Sequence, residues 1–312
     1  MDSKVRTMPA KFLVTGGHGF IGRHVAAQLA GAGRIVAGIG HGTWNRDDYE
    51  RYGFTFWNTS DVSLDALVTY AGEPDVIIHC AGSGSVAFSM TQPQHDFGRT
   101  VAATAAVLEY VRVHSPRTVV VYPSSAAVYG LAERLPIHEA DALHPAPPYG
   151  VHKLMAEDLC RSYGRHFGVA VAIVRFFSVY GDGLQKQLLW DACMKAKKGD
   201  ARFFGTGAEL RDWLHVDDAA RLLAVAAEHA AVDCPVVNGA SGVKASVREV
   251  LEVVLRAFGN AGDLSFSGDP RPGDPIGYHA DIEAARVWGW RPSVPWQEGV
   301  ARYAEWFKGR QR

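Results

Sequence analysis

Tyr149 and Lys153 stand four residues apart in Tyr149-Gly150-Val151-His152-Lys153, so on a helix beginning at Pro148 the phenol and the ammonium share one face. A free phenol has a pKa of about 10, and taking up a proton near pH 7 requires about 4 kcal/mol of differential stabilisation, at about 1.4 kcal/mol per unit. A cation beside the phenol supplies it, and Lys153 is placed to be one. In a chain with eleven tyrosines the spacing alone is weak evidence. Its position carries more weight. It follows Pro123-Ser124-Ser125-Ala126-Ala127-Val128-Tyr129-Gly130, which continues an apolar run and places the Ser125 hydroxyl at the carboxyl edge of a sheet, where ligands bind in open α/β folds. Neither Ser124 nor Ser125 lies in a GxSxG elbow, so the residues do not point to a nucleophilic serine.

A second site opens the chain. The apolar run Phe12 to Thr15 leads into Gly16-Gly17-His18-Gly19-Phe20-Ile21-Gly22 and then into a helical pattern through Leu29. In a strand, glycine loop and helix of this kind, Gly16 allows the tight turn, Gly19 lets amides approach a pyrophosphate and Gly22 lets the helix pack closely. The helix start at Phe20 and Ile21 adds N–H donors and a partial positive charge. With 33 glycines in the chain, the strand-helix context matters more than the spacing. The expected ligand is a dinucleotide. Where NAD-preferring folds carry a carboxylate for the ribose, this chain reads Ile39-Gly40-His41-Gly42, so NAD and NADP stay equally open. His41 or Arg46 could meet a 2′-phosphate, and both read equally well as solvated loop residues. Asp61 and Val62, after the expected strand Phe54 to Trp57, fall where an adenine ring would lie, with a capping aspartate as the plainer reading.

The elements that must hold these residues follow from periodicity. Short apolar runs at Phe12 to Thr15, Arg34 to Ile39, Val76 to Cys80, Thr118 to Tyr122 and Val169 to Phe176 alternate with amphipathic stretches, as in βαβ units of a parallel sheet. Phe97, Val101, Thr104, Leu108 and Val111 recur at helical spacing, which predicts one helix over Pro93 to His114. After Tyr180, Gly, Pro and Trp become frequent, and helices are expected near Gln187 to Lys198 and Ser246 to Phe258. The fold class is therefore α/β: a Rossmann-type doubly wound parallel sheet over 1–177 and a smaller mixed α/β lobe over 178–312, from which some segments return to the first domain.

A net charge of −1 carries no basic footprint for nucleic acid. The first ten residues lack the apolar core of a signal peptide, and no apolar run is long enough to span a bilayer, so a cytoplasmic protein without membrane association is expected. Cys80, Cys160, Cys193 and Cys234 form no CxxC pair, so neither a metal site nor a disulfide framework is expected.

These residues together resemble the extended short-chain dehydrogenase/reductases that epimerise, dehydrate or reduce nucleotide-sugars. The family's TGGxGFIG is Thr15 to Gly22, its SSxxVYG is Ser124 to Gly130 and its YxxxK is Tyr149 to Lys153. Arg175 to Gly181 resembles its RxxNVYG, Arg211 to Asp218 its RDFIHVDD, and Arg271-Pro272-Gly273-Asp274 its RPGD. The resemblance implies that Ser125, Tyr149 and Lys153 are catalytic. It also implies that Cys80, Ala81, Gly82 and Thr100 line the dinucleotide, and that Arg211 and Arg271 grip a nucleotide diphosphate. Ser178 replaces the family's asparagine and Thr100 stands where Asn is frequent, which marks a less common branch. Pocket shape around Ser85, Ser178, Gln187 and Phe204 would select the substrate, a nucleotide-diphosphate sugar.

Sugar 4,6-dehydratases of this resemblance carry Asp-Glu directly after the catalytic hydroxyl residue; here that pair is Ala126-Ala127, which disfavours dehydration and decarboxylation. The leading expectation is a 4-epimerase acting by reversible hydride transfer at C4 with NAD or NADP. The alternative is a 4-ketosugar reductase, and a non-catalytic dinucleotide sensor is less favoured because all three catalytic candidates are present. The resemblance further implies a homodimer through Pro93 to His114 and Tyr149 to His166.

Overall fold

A strand covered on both faces needs apolar side chains at nearly every position, and Val76-Ile77-Ile78-His79 and Val171 to Phe176 are buried throughout. The computed structural model describes residues 11–259, 264–269 and 277–310. Its strands are β1 (Lys11–Thr15), β2 (Ile35–Gly40), β3 (Phe56–Thr59), β4 (Val76–His79), β5 (Val119–Ser125), β6 (Val171–Phe176), β7 (Ser178–Tyr180), β8 (Arg202–Phe203), β9 (Leu210–His215), β10 (Val236–Gly239), β11 (Lys244–Ser246) and β12 (Ser265–Phe266).

Seven of them form one sheet in the order β10-β6-β5-β4-β1-β2-β3, and every pair in it is parallel. The order reverses between β1 and β4, so a crevice opens outside their carboxyl ends. Alternate residues of β1 serve opposite layers. Phe12 and Val14 pack with the helices Phe20–Gly31 and Val216–His229, whereas Leu13 faces Val107 and Leu108 of Ala103–His114 and Ala156 of Pro148–Phe167. This is the Rossmann-type doubly wound sheet.

The remaining strands make a three-stranded sheet, β11-β9-β7, and a two-stranded pair, β12-β8. Around them the helices Gln187–Lys197, Val247–Ala257 and Trp296–Arg310 share a second core that includes Leu189, Val250, Leu251, Tyr303 and Phe307. Two later segments, β10 and the helix Val216–His229, lie on the large sheet.

Three elements differ from the sequence reading. The second βα unit ends with β3 at Phe56–Thr59 instead of Phe54 to Trp57, because Phe54 N–H caps the preceding helix at Tyr49 O and its ring is buried under the sheet. The strand β5 runs on to Ser125, since its pairing with β6 continues through Pro123↔Val174, Ser124↔Arg175 and Ser125↔Phe176. The stretch Pro93 to His114 is not one regular α-helix: a π turn at Gly98–Ala102 separates Pro93–Phe97 from Ala103–His114. Among the described residues no helix is long and apolar enough to cross a membrane, and no cluster of three metal-ligating side chains occurs.

Candidate active site

The glycine loop follows β1 and ends at Gly19, the N-cap of the helix Phe20–Gly31. That helix start has no side-chain cap and no acidic residue in its first turn, which suits an anion. Gly16 has φ +67°, and a Cβ there would lie 2.6 Å from the N and Cα of Ala81, so the loop after β4 closes directly on it. A Cβ at Gly22 would lie 2.7 Å from the Gly16 carbonyl oxygen, which ties the helix to the loop. Gly16 N–H donates to Ile39 O at 2.7 Å and thereby draws in the end of β2. Phe20 packs on the second core and Ile21 on the first.

The other candidate dinucleotide residues surround this loop. Ala81 N–H donates to Thr15 Oγ1 at 3.3 Å. Cys80 is half-buried, and burial pushes its thiol up to about 12, so it is a neutral wall. Thr100, in the π turn, accepts from Ser83 N–H at 3.3 Å and faces Gly82. The wide turn thus brings a buried hydroxyl to the loop after β4. His41 is exposed at the end of β2, and burial, Arg23 and the nearby His41 ring hold the His18 imidazole below its usual value. Arg46 is paired with Glu50 at 2.6 Å. Asp61 is exposed and Val62 packs against the core. A dinucleotide fits these residues: an open helix start, a glycine cradle with no room for Cβ, and no carboxylate at the end of β2.

Ser125 closes β5 and caps the 3₁₀ turn Ala126–Val128, accepting from Ala127 N–H at 3.2 Å. Tyr149 lies in the first turn of the helix Pro148–Phe167, and its N–H donates to Ser89 Oγ at 3.0 Å. Burial raises the Tyr149 phenol above its usual value, a hydrogen bond with Ser125 lowers it, and the charge of Asp96 raises it again. Lys153 is 6% exposed; its Nζ donates to Pro123 O at 2.8 Å and stands 4.9 Å from the centre of the Tyr122 ring. Burial pushes its ammonium down to about 8, and the neighbouring Cys80 thiol and the Asp96 and Glu157 carboxylates act the other way. The structure therefore brings Ser125, Tyr149 and Lys153 together at the carboxyl edge of β5.

A buried network braces this edge. Arg175 on β6 donates from Nη2 to Glu157 Oε2 at 2.8 Å and from Nε to Oε1 at 3.0 Å, while Ser124 Oγ donates to Oε1 at 2.6 Å. Burial pushes the Glu157 carboxyl up, but Arg175, Ser124 and Arg161 outweigh it and the net shift is downward. Tyr129 OH joins Arg175 to Asn238 of β10, donating to Oδ1 at 2.7 Å. A second pair lies nearer the phenol: His152 Nδ1 is 2.5 Å from Oδ2 of Asp96, which is fully buried.

The candidate substrate residues are more scattered. Ser85 Oγ accepts from Phe88 N–H at 3.2 Å and so caps the helix Val86–Thr91. Ser178 begins β7 and is half-buried. Gln187 starts the helix Gln187–Lys197 with φ +69°, a conformation that side chains rarely adopt and that concentrates at ligand-binding segments. Phe204 is exposed and shares a groove with Leu188, Asp191, Lys195 and Phe203. Arg211 on β9 donates from Nη1 to Leu210 O at 2.8 Å, beside Asp212, which accepts from Ser241 and Gly242. Arg271 lies outside the described residues.

Sequence reasoning missed three groups: Asp96 with His152, Ser89 beneath Tyr149, and Lys186, whose Nζ donates to Gly84 O at 3.4 Å across the mouth of the site. Their partners are 56, 60 and 102 positions away, so no local pattern marks them.

This chain is similar over most of its length to several known proteins. It is 31% identical to the UDP-glucose 4-epimerase of Azospirillum brasilense over 317 residues, covering 94% of this chain and 90% of that one. It superposes on MoeE5 in complex with UDP-glucuronic acid and NAD with a TM-score of 0.84 at 28% identity, covering 96% and 99% of the two chains. The UDP-glucose 4-epimerase of Thermotoga maritima with UDP-glucose shares the fold, with a TM-score of 0.86 at 24% identity over 96% and 99%. The NAD dependent epimerase/dehydratase profile matches residues 12–238, which include both the glycine loop and the Ser125–Tyr149–Lys153 cluster. This chain belongs to the NAD dependent epimerase/dehydratase family.

Proposed function

We propose that the chain is a nucleotide-sugar 4-epimerase in which Ser125, Tyr149 and Lys153 carry the proton chemistry. The observation that carries the reading is the anchoring of Lys153 Nζ 2.8 Å from Pro123 O, which ties the helix that bears Tyr149 to the strand end that presents Ser125, at the ligand-binding edge of the sheet. Gly16, Gly19, Gly22 and Thr100 would hold a nicotinamide dinucleotide, which when bound would supply the hydride acceptor and donor. Tyr149 Oη takes the proton of the C4 hydroxyl, and Ser125 Oγ holds the same oxygen in place. Burial works against this, since it raises the phenol; the Ser125 hydroxyl lowers it, and a bound oxidised nicotinamide would add a cation beside it. After the 4-keto sugar turns over, Tyr149 returns the proton to the C4 oxygen, which leaves the inverted alcohol. Ala126 and Ala127 offer no acid or base for eliminating water.

The similarity to MoeE5, solved with a UDP-sugar and NAD together, supports a nucleotide-diphosphate sugar as substrate. Arg211 and the open start of the helix Gln187–Lys197 are the groups we assign to its diphosphate, with Arg271 as a further candidate.

The end of β2 favours a second reading. Without a carboxylate there, and with His41, Arg23 and His18 gathered beside the loop, the site accepts NADP as well as NAD, and an exchanging NADPH would suit a 4-ketosugar reductase. Mass spectrometry of the dinucleotide released from denatured protein separates the two. Retained NAD together with conversion of UDP-glucose or UDP-glucuronic acid to its C4 epimer is the expected result. Cofactor-free protein that consumes NADPH with a 4-keto nucleotide-sugar would overturn the epimerase.

We also infer a homodimer. Phe97, Val113, Val151, Met155 and Phe167 leave apolar surface exposed on the adjoining helices Pro93–Phe97, Ala103–His114 and Pro148–Phe167. Light scattering at micromolar concentration tests it, and a monomeric mass would refute it.

A further inference from the structure

Asp96 is fully buried, and its two carboxylate oxygens are treated unequally: Oδ2 lies 2.5 Å from His152 Nδ1, while Oδ1 has no hydrogen-bond partner. A buried carboxylate with a single partner is costly unless that partner neutralises it. His152 is suited to do so. It is 12% exposed, stands edge-on to Phe97 at 5.6 Å, and falls between Tyr149 and Lys153 on the same helix. Asp96 precedes the π turn that carries Thr100, so the pair joins the two helices that flank the site.

We propose that His152 and Asp96 form a buried charge pair whose net charge sets the ionisation of Tyr149, which makes both of them positioning residues for the proton transfer. The proposal rests on Tyr149 as the proton-transferring group.

Few other charges compete. Tyr149 is faced by the Ser125 and Tyr122 hydroxyls from β5 and by Asp96 from the adjoining helix, and Lys153 lies one turn on along its own helix. Lys153 is in turn faced by His79 and Cys80 at the end of β4 and by Glu157 and Cys160 of its own helix. Glu157 is matched by Arg175 and Arg161. Burial holds His79 near 3 and Cys80 near 12, so neither carries charge at neutral pH. Asp96 is the remaining anion near the phenol, and its field there depends on the His152 ring that stands 2.5 Å from its Oδ2.

The two halves of the pair then act with opposite sign. His152→Gln leaves the carboxylate uncompensated and disfavours phenolate, whereas Asp96→Asn removes the negative charge and favours it. In the holoenzyme the acid limb of kcat/KM against pH is expected to move up by about one unit in His152→Gln and down by about one unit in Asp96→Asn. The double variant is expected to return close to the wild-type position. A mere structural peg would lower activity in both without opposite shifts.

Phenolate absorbance, taken as the difference from Tyr149→Phe holoprotein, reads the same ionisation without a substrate. It separates a failure of this proposal from a failure of the epimerase reading. Unmoved titrations, shifts of the same sign, or a His152→Gln shift that the double variant does not reverse would each overturn the proposal. Should variants lacking Asp96 not fold, the His152→Gln titration decides alone: an upward shift supports the pair and none overturns it.

Discussion

Lys153 Nζ donates to the carbonyl oxygen of Pro123 at 2.8 Å, two residues before Ser125. The ammonium is thereby tied to the strand that presents the hydroxyl, and the helix carrying Tyr149 cannot slide along β5 without breaking that bond.

This anchoring has a measurable cost. Burial places the Lys153 ammonium at about 8, below its ordinary 10.5. Between those two values the unfolded chain keeps a proton that the folded chain has released, so this group makes stability rise with pH across that window; below pH 8 the buried charge is a constant penalty. Relative to wild type, Lys153→Met is expected to gain up to roughly 3 kcal/mol at pH 7 compared with pH 10.5. Urea unfolding of both proteins at the two pH values checks it, and a pH-independent difference would contradict it.

Removing the phenol should separate chemistry from binding. Tyr149→Phe keeps the ring and the Tyr149 N–H bond to Ser89 Oγ. It is expected to retain its dinucleotide and lose turnover by about 10²- to 10⁴-fold. Turnover within threefold of wild type, once a nucleotide-sugar is identified, would remove the catalytic assignment.

The brace beneath the site is predicted to be structural. Glu157→Ala leaves Arg175 buried at 2% exposure without its carboxylate partner. A loss of about 3–5 kcal/mol in denaturant unfolding is expected. The folded Glu157 carboxyl sits below its ordinary 4.5, so its contribution is present above that value and is lost as pH falls through the folded one. Acid unfolding of Glu157→Gln should accordingly show a flatter pH dependence than wild type.

Gly16 tests the cradle. An alanine there must place Cβ 2.6 Å from the Ala81 backbone at φ +67°, so the loops after β1 and β4 must separate. Gly16→Ala is expected to lose bound dinucleotide, read by mass spectrometry of the denatured protein. Full retention would show that the two loops do not jointly form the site.

Much of this was legible along the chain because burial imposes a local period. Runs such as Val119 to Val121 and Val171 to Val174 report strands covered on both faces. A glycine loop and a YxxxK spacing are local too, so the dinucleotide fold and the placing of Ser125, Tyr149 and Lys153 at one edge of the sheet were readable from composition, order and resemblance. The tertiary structure decided what depends on distant partners. It extends β5 to Ser125 by pairing with β6, opens a π turn at Thr100, and sends β10 back to the large sheet. It sets Asp96 against His152, and Lys186 against Gly84. These contacts join residues tens of positions apart, and a hydrophobic period records only which face of an element is covered, never which charged or polar group lies opposite it.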